Sequence, residues 1–364
     1  MNYSRRQFLA KAGAGASLIT MLSNESIAKP YRADKKLRVA LCGLGYYAEF
    51  KLAPGILASK NCELVGIVTG TPAKAEKWKK QFNIPDKNIY NYQNFDQIAN
   101  NPDIDAVYTV LPNSMHKEFV IRTAKAGKHA ICEKPMAINA AECREMIDAC
   151  KKANVTLSIG YRCHFEPHNM EAMRVGQQKV FGKTKVIETA CGFRMGGDPN
   201  QWRLKKAMAG GGAMYDVGVY AIQGARYGLG EEPTYVTAQE VKTDPVKFKE
   251  VDETIMWQME FPSGAVSSSI TSYASNMDRL YISAENGWLE LAPAYGYGPQ
   301  AGRTSKGPLN IAQTNHQAVM MDEIAEIIFN KKPSSISGEE GLKDALVMEA
   351  IYRSIHSGKK EKIG

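Results

Sequence analysis

The sequence has no apolar run of the roughly 20 residues that a membrane-spanning helix needs. It has no Cys-x-x-Cys pair, and its 7 cysteines are an odd number, placed mostly in apolar strand or helix patterns. Buried free thiols are therefore expected rather than a disulfide framework or a metal site. The 6 histidines, His116, His129, His164, His168, His316 and His356, show no metal-ligand spacing. There is no dense Lys/Arg block interleaved with aromatics, which disfavours a nucleic-acid role. The formal charge of +8 falls to +6 when residues 1–28, carrying Arg5, Arg6, Lys11 and Glu25, are set aside. That mild surplus suits small anionic ligands.

What is present begins with an address. Ser4-Arg5-Arg6-Gln7-Phe8-Leu9 reads as a twin-arginine export motif. A weakly apolar stretch from Ala12 to Leu22 follows, then the small residues Ser26-Ile27-Ala28 that a signal peptidase needs. The expectation is a signal over 1–28, a short arm over 29–36, and an exported, periplasmic protein. The alternative for this segment is a disordered amphipathic tail.

From Leu37 to about Tyr161, short β-branched runs alternate with helix-length segments. Strands are predicted at Leu37–Cys42, Leu64–Thr69, Ala106–Leu111, His129–Glu133 and Thr156–Tyr161, with helices around Tyr46–Ser59, Pro72–Phe82, His116–Ala126 and Ala140–Ala153. This alternation predicts a Rossmann-like, doubly wound parallel sheet over residues 37–161. After about Pro167 the period shortens to near two, as in Thr254–Phe261. Further runs lie at Lys185–Phe193, Thr234–Lys242, Ala265–Tyr273 and Arg279–Ser283, and two helices follow at Asn315–Asn330 and Gly338–His356. Residues 162–364 are thus expected to form an open, mainly antiparallel sheet backed by helices, the last helix packing back on the first domain. An exposed sheet face containing Ile270, Tyr273 and Trp257 is expected to pair subunits into a homodimer or homotetramer.

Gly43-Leu44-Gly45-Tyr46-Tyr47-Ala48 gives G-x-G-x-x-A between the first strand and its helix. The first glycine permits a tight turn, the second lets backbone N–H groups approach a pyrophosphate, and Ala48 lets helix and strand pack closely. A dinucleotide is the expected ligand. The second strand ends in Val68-Thr69-Gly70-Thr71-Pro72-Ala73-Lys74, without the carboxylate that usually holds the ribose 2′-hydroxyl of NAD. Hydroxyls and the Lys74 ammonium suit a 2′-phosphate, which favours NADP over NAD. As a bare residue, Lys74 also fits a solvated helix position.

Three further residues carry chemistry. Lys134 follows the fourth strand in Cys132-Glu133-Lys134-Pro135, while Asp216 and Tyr220 stand four apart on a segment with helical spacing. A lysine beside a tyrosine is expected to lower the phenol pKa from about 10. The tyrosine would then take a substrate hydroxyl proton while hydride leaves carbon for nicotinamide. Lys134 also fits a surface ion pair with Glu133, and Tyr220 a core tyrosine; spacing alone does not choose.

Together these segments resemble the family of glucose–fructose oxidoreductases, inositol dehydrogenases and their relatives, from about Leu37 to Arg353. The carriers are the glycine loop, Leu111-Pro112-Asn113-Ser114-Met115-His116, Glu133-Lys134-Pro135, Gly160-Tyr161-Arg162-Cys163-His164 and Gln201-Trp202-Arg203-Leu204. Tyr220 in an Asp-x-Gly-x-Tyr frame resembles the glucose–fructose oxidoreductase branch, where most relatives have histidine. The resemblance implies Tyr220 as acid/base, Lys134 as its electrostatic partner, Asp216 orienting a sugar, and a cis Lys134-Pro135 bond. It implies cofactor contacts at Thr69, Gly70, Lys74, Tyr92, Leu111, Asn113, His116, Glu133, Arg162, Trp202 and Arg203, besides Tyr46 and Tyr47 in the loop. The implied activity is oxidation of an aldose C1 hydroxyl to a lactone with NADP, a second sugar re-oxidising the cofactor. Two other classes stand beside it: a glycosidase working by transient oxidation and elimination, and a non-enzymatic NADP-binding sensor. The resemblance departs at the N-terminus. The glucose–fructose enzymes have a long proline-rich arm that covers the adenine, where this chain has only 29–36, so the likeness does not carry over cofactor retention or subunit arrangement.

Overall fold

The computed structural model describes residues 35–364. The export segment at 1–28 and most of the arm at 29–36 lie outside them.

Leu37–Cys42 is apolar except for Arg38 and forms β1, buried nearly throughout. Arg38 escapes the core by pairing with Asp105, Nη2 to Oδ1 at 2.7 Å. β1 is central in a six-stranded sheet with β2 (Cys62–Val68), β3 (Ile89–Tyr90), β4 (Ala106–Thr109), β5 (His129–Cys132) and β6 (Leu157–Ile159). The order is β3-β2-β1-β4-β5-β6 and every pair is parallel. A π turn at Ala48–Leu52 leads into α1 (Ala53–Ala58), and the other crossovers are α2 (Pro72–Phe82), α3 (Asn113–Lys125) and α4 (Ala140–Lys152).

The second sheet is mixed and mainly antiparallel. It contains β7 (Thr184–Gly192), β8 (Tyr235–Val241), β9 (Thr254–Glu260), β10 (Val266–Ser272), β11 (Met277–Ala284), β12 (Gly287–Leu291), β13 (Gly302–Thr304), β14 (Gly307–Pro308) and β15 (Glu361–Lys362). Only β7 and β10 pair in parallel. The sheet is backed by α5 (Pro167–Gln177), α6 (Val219–Leu229), which continues a π turn at Met214–Gly218, and α8 (Gly338–Ser357). α5 has no counterpart among the helices expected from the sequence, although its signals are present there. Glu166 caps it, accepting from the His168 and Asn169 N–H groups at 3.1 and 2.8 Å, and Pro167 stands at its first position.

The expected outer face needs correction. Trp257 and Tyr273 are each only 2% exposed and face the helices, not solvent. The period of two fixes this: Ile255, Trp257 and Met259 point inward while Met256, Gln258 and Glu260 point out. Ile270, opposite Met256 in register, does lie on the open face.

α7 (His316–Asn330) and α8 return to the parallel sheet. The Asp322 carboxylate accepts from the Lys60 and Asn61 N–H groups, each at 2.8 Å, and Ile159 N–H donates to the Ile336 carbonyl at 2.7 Å. All seven cysteines are buried and free. Among the described residues no helix is long and apolar enough to cross a membrane.

Candidate active site

Strand order reverses at β1, where the chain crosses to β4, and a cleft opens at the carboxyl ends of both strands. Open α/β sheets take ligands at such a switch point. Gly43 has φ +101°, and a Cβ there would lie 2.5 Å from the Val110 carbonyl oxygen, so glycine alone fits the turn. Gly45 is a different case. A Cβ there would meet no protein atom within 4 Å, and the residue lines a cavity of about 1060 Å³. The bare backbone at Gly45 therefore suits the close approach of a pyrophosphate.

Of the predicted residues, the glycine loop from Gly43 to Tyr47, Thr69, Lys74, Tyr92, Leu111, Asn113 and His116 line this cavity, as do Glu133, Lys134, Arg162, Trp202, Arg203, Asp216 and Tyr220. Gly70 stands behind the wall, where a Cβ would come within 2.9 Å of the Tyr92 ring. Its bareness lets that ring lie against the chain. At the β2 end the wall is Thr69, Thr71, Lys74 and Tyr92; the acids on it, Glu133, Asp216 and Asp278, come from other elements. His116 is buried, with its ring nitrogens 2.8 Å from the Leu111 carbonyl oxygen and 3.0 Å from that of Pro135. It ties the loop after β4 to the Lys134-Pro135 turn, whose peptide bond is cis.

At the other end of the predicted set, the Lys134 ammonium donates to the Asp216 carbonyl oxygen and stands 3.7 Å from Asp216 Oδ1. The Asp216 carboxylate also accepts from Arg203 Nε at 3.1 Å and from the Tyr273 hydroxyl at 3.0 Å. Burial opposes its charge, but Arg203, Lys134 and Tyr273 prevail and hold its pKa below the usual aspartate value. Asp216 lies in the π turn and Tyr220 in the first turn of α6, so no regular α-helix joins them. Both nevertheless meet Lys134, whose Nζ lies 4.6 Å from the Tyr220 ring centroid. Two π turns thus border one cleft, the second carrying Asp216. Such turns commonly accompany functional sites.

The expected lowering of the Tyr220 pKa is not what this environment gives. Burial pushes the hydroxyl well above the ordinary tyrosine range. Lys134 sits over the ring face and makes no hydrogen bond to the phenol oxygen. That hydroxyl has no hydrogen-bond partner among the described residues, and Tyr220 faces the cavity.

The loop that roofs the cleft has no counterpart among the expectations from sequence. Asp278, at the start of β11, accepts from the Ala294, Tyr295 and Gly296 N–H groups at 2.8, 2.6 and 2.9 Å. Arg162 clasps the same loop from its other side, donating to the Gly296 carbonyl oxygen at 3.0 Å and to that of Tyr295. Tyr297 is thereby brought to the glycine loop, its ring centroid 5.9 Å from that of Tyr47. The repeated Tyr-Gly of 295–298 was the available signal, but its anchors lie far away in sequence.

Fold and cleft define a two-sheet enzyme architecture in which a nucleotide-binding Rossmann half faces an open-sheet half. Residues 37–161 match the oxidoreductase family with an NAD-binding Rossmann fold, Gfo/Idh/MocA, and residues 170–290 match the Gfo/Idh/MocA C-terminal domain. The chain is similar to the aldose-aldose oxidoreductase of Caulobacter crescentus, whose crystal structure is complexed with glycerol. Identity is 41%, with 90% of this chain and 100% of that one covered and a TM-score of 0.88. A D-xylose 1-dehydrogenase [NADP(+)] of Haloarcula marismortui is 26% identical over 331 residues, 88% of this chain and 91% of the relative. The fold is shared with levoglucosan dehydrogenase in complex with NADH and levoglucosan, at TM-score 0.77 and 22% identity, over 90% of this chain and 100% of that one. The chain belongs to the Gfo/Idh/MocA family of oxidoreductases, and its parallel-sheet half is an NAD(P)-binding Rossmann domain.

Proposed function

We propose that this chain is an exported, NADP-dependent aldose oxidoreductase that converts the C1 hydroxyl of a cyclic sugar to a lactone, with a second sugar re-oxidising the cofactor in place. The observation that carries this reading is the Tyr220 hydroxyl, free of internal partners in the cleft beside Lys134 and Asp216. The names of the aldose-aldose oxidoreductase and the D-xylose 1-dehydrogenase support a sugar substrate. The acid-free wall of Thr69, Thr71 and Lys74 supports NADP over NAD. The glycine loop would hold the pyrophosphate and Tyr92 would stand by the adenosine. When bound, the nicotinamide supplies the hydride acceptor. Tyr220, in its phenolate form, takes the substrate's hydroxyl proton and becomes the neutral phenol. Lys134 holds the Asp216 segment in place, and Asp216, fixed by Arg203 and Tyr273, orients the sugar hydroxyls. In the same reading residues 1–28 are a twin-arginine signal, 37–161 the nucleotide domain and 162–364 the substrate domain. Outside the cytoplasm no dehydrogenase pool recycles NADPH, which gives the second half-reaction its purpose.

The test is to release and identify the nucleotide that co-purifies with the protein, then add aldoses to the loaded enzyme. NADP(H) and a rise in reduced-nicotinamide absorbance that a second sugar reverses are expected. NAD in its place, or no absorbance change with any aldose, would overturn the reading. Copies are proposed to pair through the open sheet face around Met256 and Ile270. Sedimentation of the Met256→Arg, Ile270→Arg double variant should then show a smaller species than wild type; an unchanged species would count against that face.

A further inference from the structure

Two arginines are almost wholly buried, and their surroundings differ. Arg226, 1% exposed, is neutralised by Asp344, by Glu232 at 2.7 Å and by Glu340 at 2.9 Å. Arg162, 2% exposed, makes no salt bridge among the described residues, and the Glu133 carboxylate interacts with it only from beyond contact distance. It donates to the Tyr295 and Gly296 carbonyl oxygens, its Nη1 lies 3.3 Å from His316 Nδ1, and its Nε is buried without a partner. His316, pushed down to about 4 by burial and then by Arg162 itself, stays neutral at ordinary pH and adds no charge. A buried cation left unpaired is costly, so its position calls for a reason. The guanidinium lies 5.1 Å from the Tyr220 ring centroid and 4.3 Å from that of Tyr297.

Lys134 is placed differently, because its charge is answered by Asp216. The other groups facing Tyr220 supply no cation. Glu133, on the same turn as Lys134, accepts from the Tyr108 hydroxyl at 2.7 Å and works against the phenolate, and the Cys163 and Cys191 thiols are pushed up by burial and stay neutral. We propose that Arg162 is a positioning residue for catalysis: its charge, paired by no salt bridge and held against the ring by the roof loop, stabilises the Tyr220 phenolate. After burial, Arg162 is the largest influence on the Tyr220 hydroxyl and the one that opposes burial's upward push. During oxidation the sugar proton goes to the phenolate oxygen as hydride goes to NADP, so the negative charge beside Arg162 is lost as that half-reaction proceeds. The field therefore acts on the base form of Tyr220.

This inference rests on the proposed role of Tyr220, and the test separates the two. The pH dependence of kcat/KM for aldose oxidation, measured on nucleotide-loaded enzyme, reports the base in the free protein. Removing a nearby positive charge disfavours phenolate, so in Arg162→Met the rising limb should move to higher pH by about one unit or more. Arg162→Lys, which keeps the charge, should leave the limb within about half a unit of wild type. A rate lowered equally at every pH, with the limb in place, would mean that Arg162 only anchors the loop, and the inference would fail. If Tyr220→Phe keeps the wild-type limb, the role of Tyr220 itself is wrong. Should Arg162→Met not fold, Arg162→Gln offers an amide to the same carbonyl groups without the charge and carries the same comparison.

Discussion

Tyr220→Phe should lower kcat for aldose oxidation about 10²–10⁴-fold, the usual contribution of a positioned acid/base, while the folded protein keeps its nucleotide. The substitution removes one oxygen and little else. The ring would keep its place between the Lys134 ammonium, 4.6 Å from its centroid, and the Tyr295 ring at 6.0 Å. Because the hydroxyl has no internal hydrogen-bond partner, its deletion leaves no buried group orphaned, and the stability change should stay within about 1 kcal/mol. Thermal melts and nucleotide content check the fold, and single-turnover absorbance checks the chemistry. A variant within about tenfold of wild type in kcat, with the nucleotide bound, would show that the proton leaves by another route.

Asp344→Ala should cost about 3 kcal/mol or more of stability, the range for breaking a buried ion pair from one side. Asp344 is 1% exposed and accepts from the Arg226 guanidinium, the Tyr161 hydroxyl at 2.6 Å and the Gln223 amide at 2.7 Å. One truncation removes the shared acceptor of three donors, two on α6 and one just after β6. Glu232 and Glu340 remain beside Arg226, so the guanidinium is not left wholly uncompensated. Asp344→Asn keeps one acceptor oxygen and should lose less. Urea midpoints of the two variants would order them, and a loss under about 1 kcal/mol for the alanine variant would mean that the site relaxes or hydrates.

Local patterns in the sequence carried much of this architecture. The apolar run at Leu37–Cys42 ending in Gly43-Leu44-Gly45 fixes a strand, a turn and a bare backbone within ten residues of one another. The alternation of short runs with helices carries the parallel sheet, because each crossover is local. What the pattern could not carry was set by distant partners. The Tyr295–Tyr297 roof is held by Asp278 and by Arg162, the latter across a separation of 134 residues for its bond to Gly296. Burial was invisible as well. Lys134 beside Tyr220 reads as an activating pair on paper, yet the enclosed phenol is pushed the other way. The π turns at Ala48–Leu52 and Met214–Gly218 are not visible in the sequence, where their residues show only helical spacing. Trp257 and Tyr273 lie on the inner face because strand parity, not aromatic content, decides which side chains meet solvent.

The return of α7 and α8 to the parallel sheet also orders events in time. Ile336 receives the hydrogen bond from Ile159, Asp322 gathers the N–H groups before β2, and Glu349 accepts from the Ala140 N–H at the start of α4. A ribosome delivers the glycine loop long before these partners. The nucleotide half therefore lacks these contacts on the nascent chain until α7 and α8 have emerged, and such long-range closures are the slow part of folding. An interrupted chain lacking α7 and α8 leaves the N–H groups of Lys60, Asn61, Ala140 and Ile159 without these acceptors.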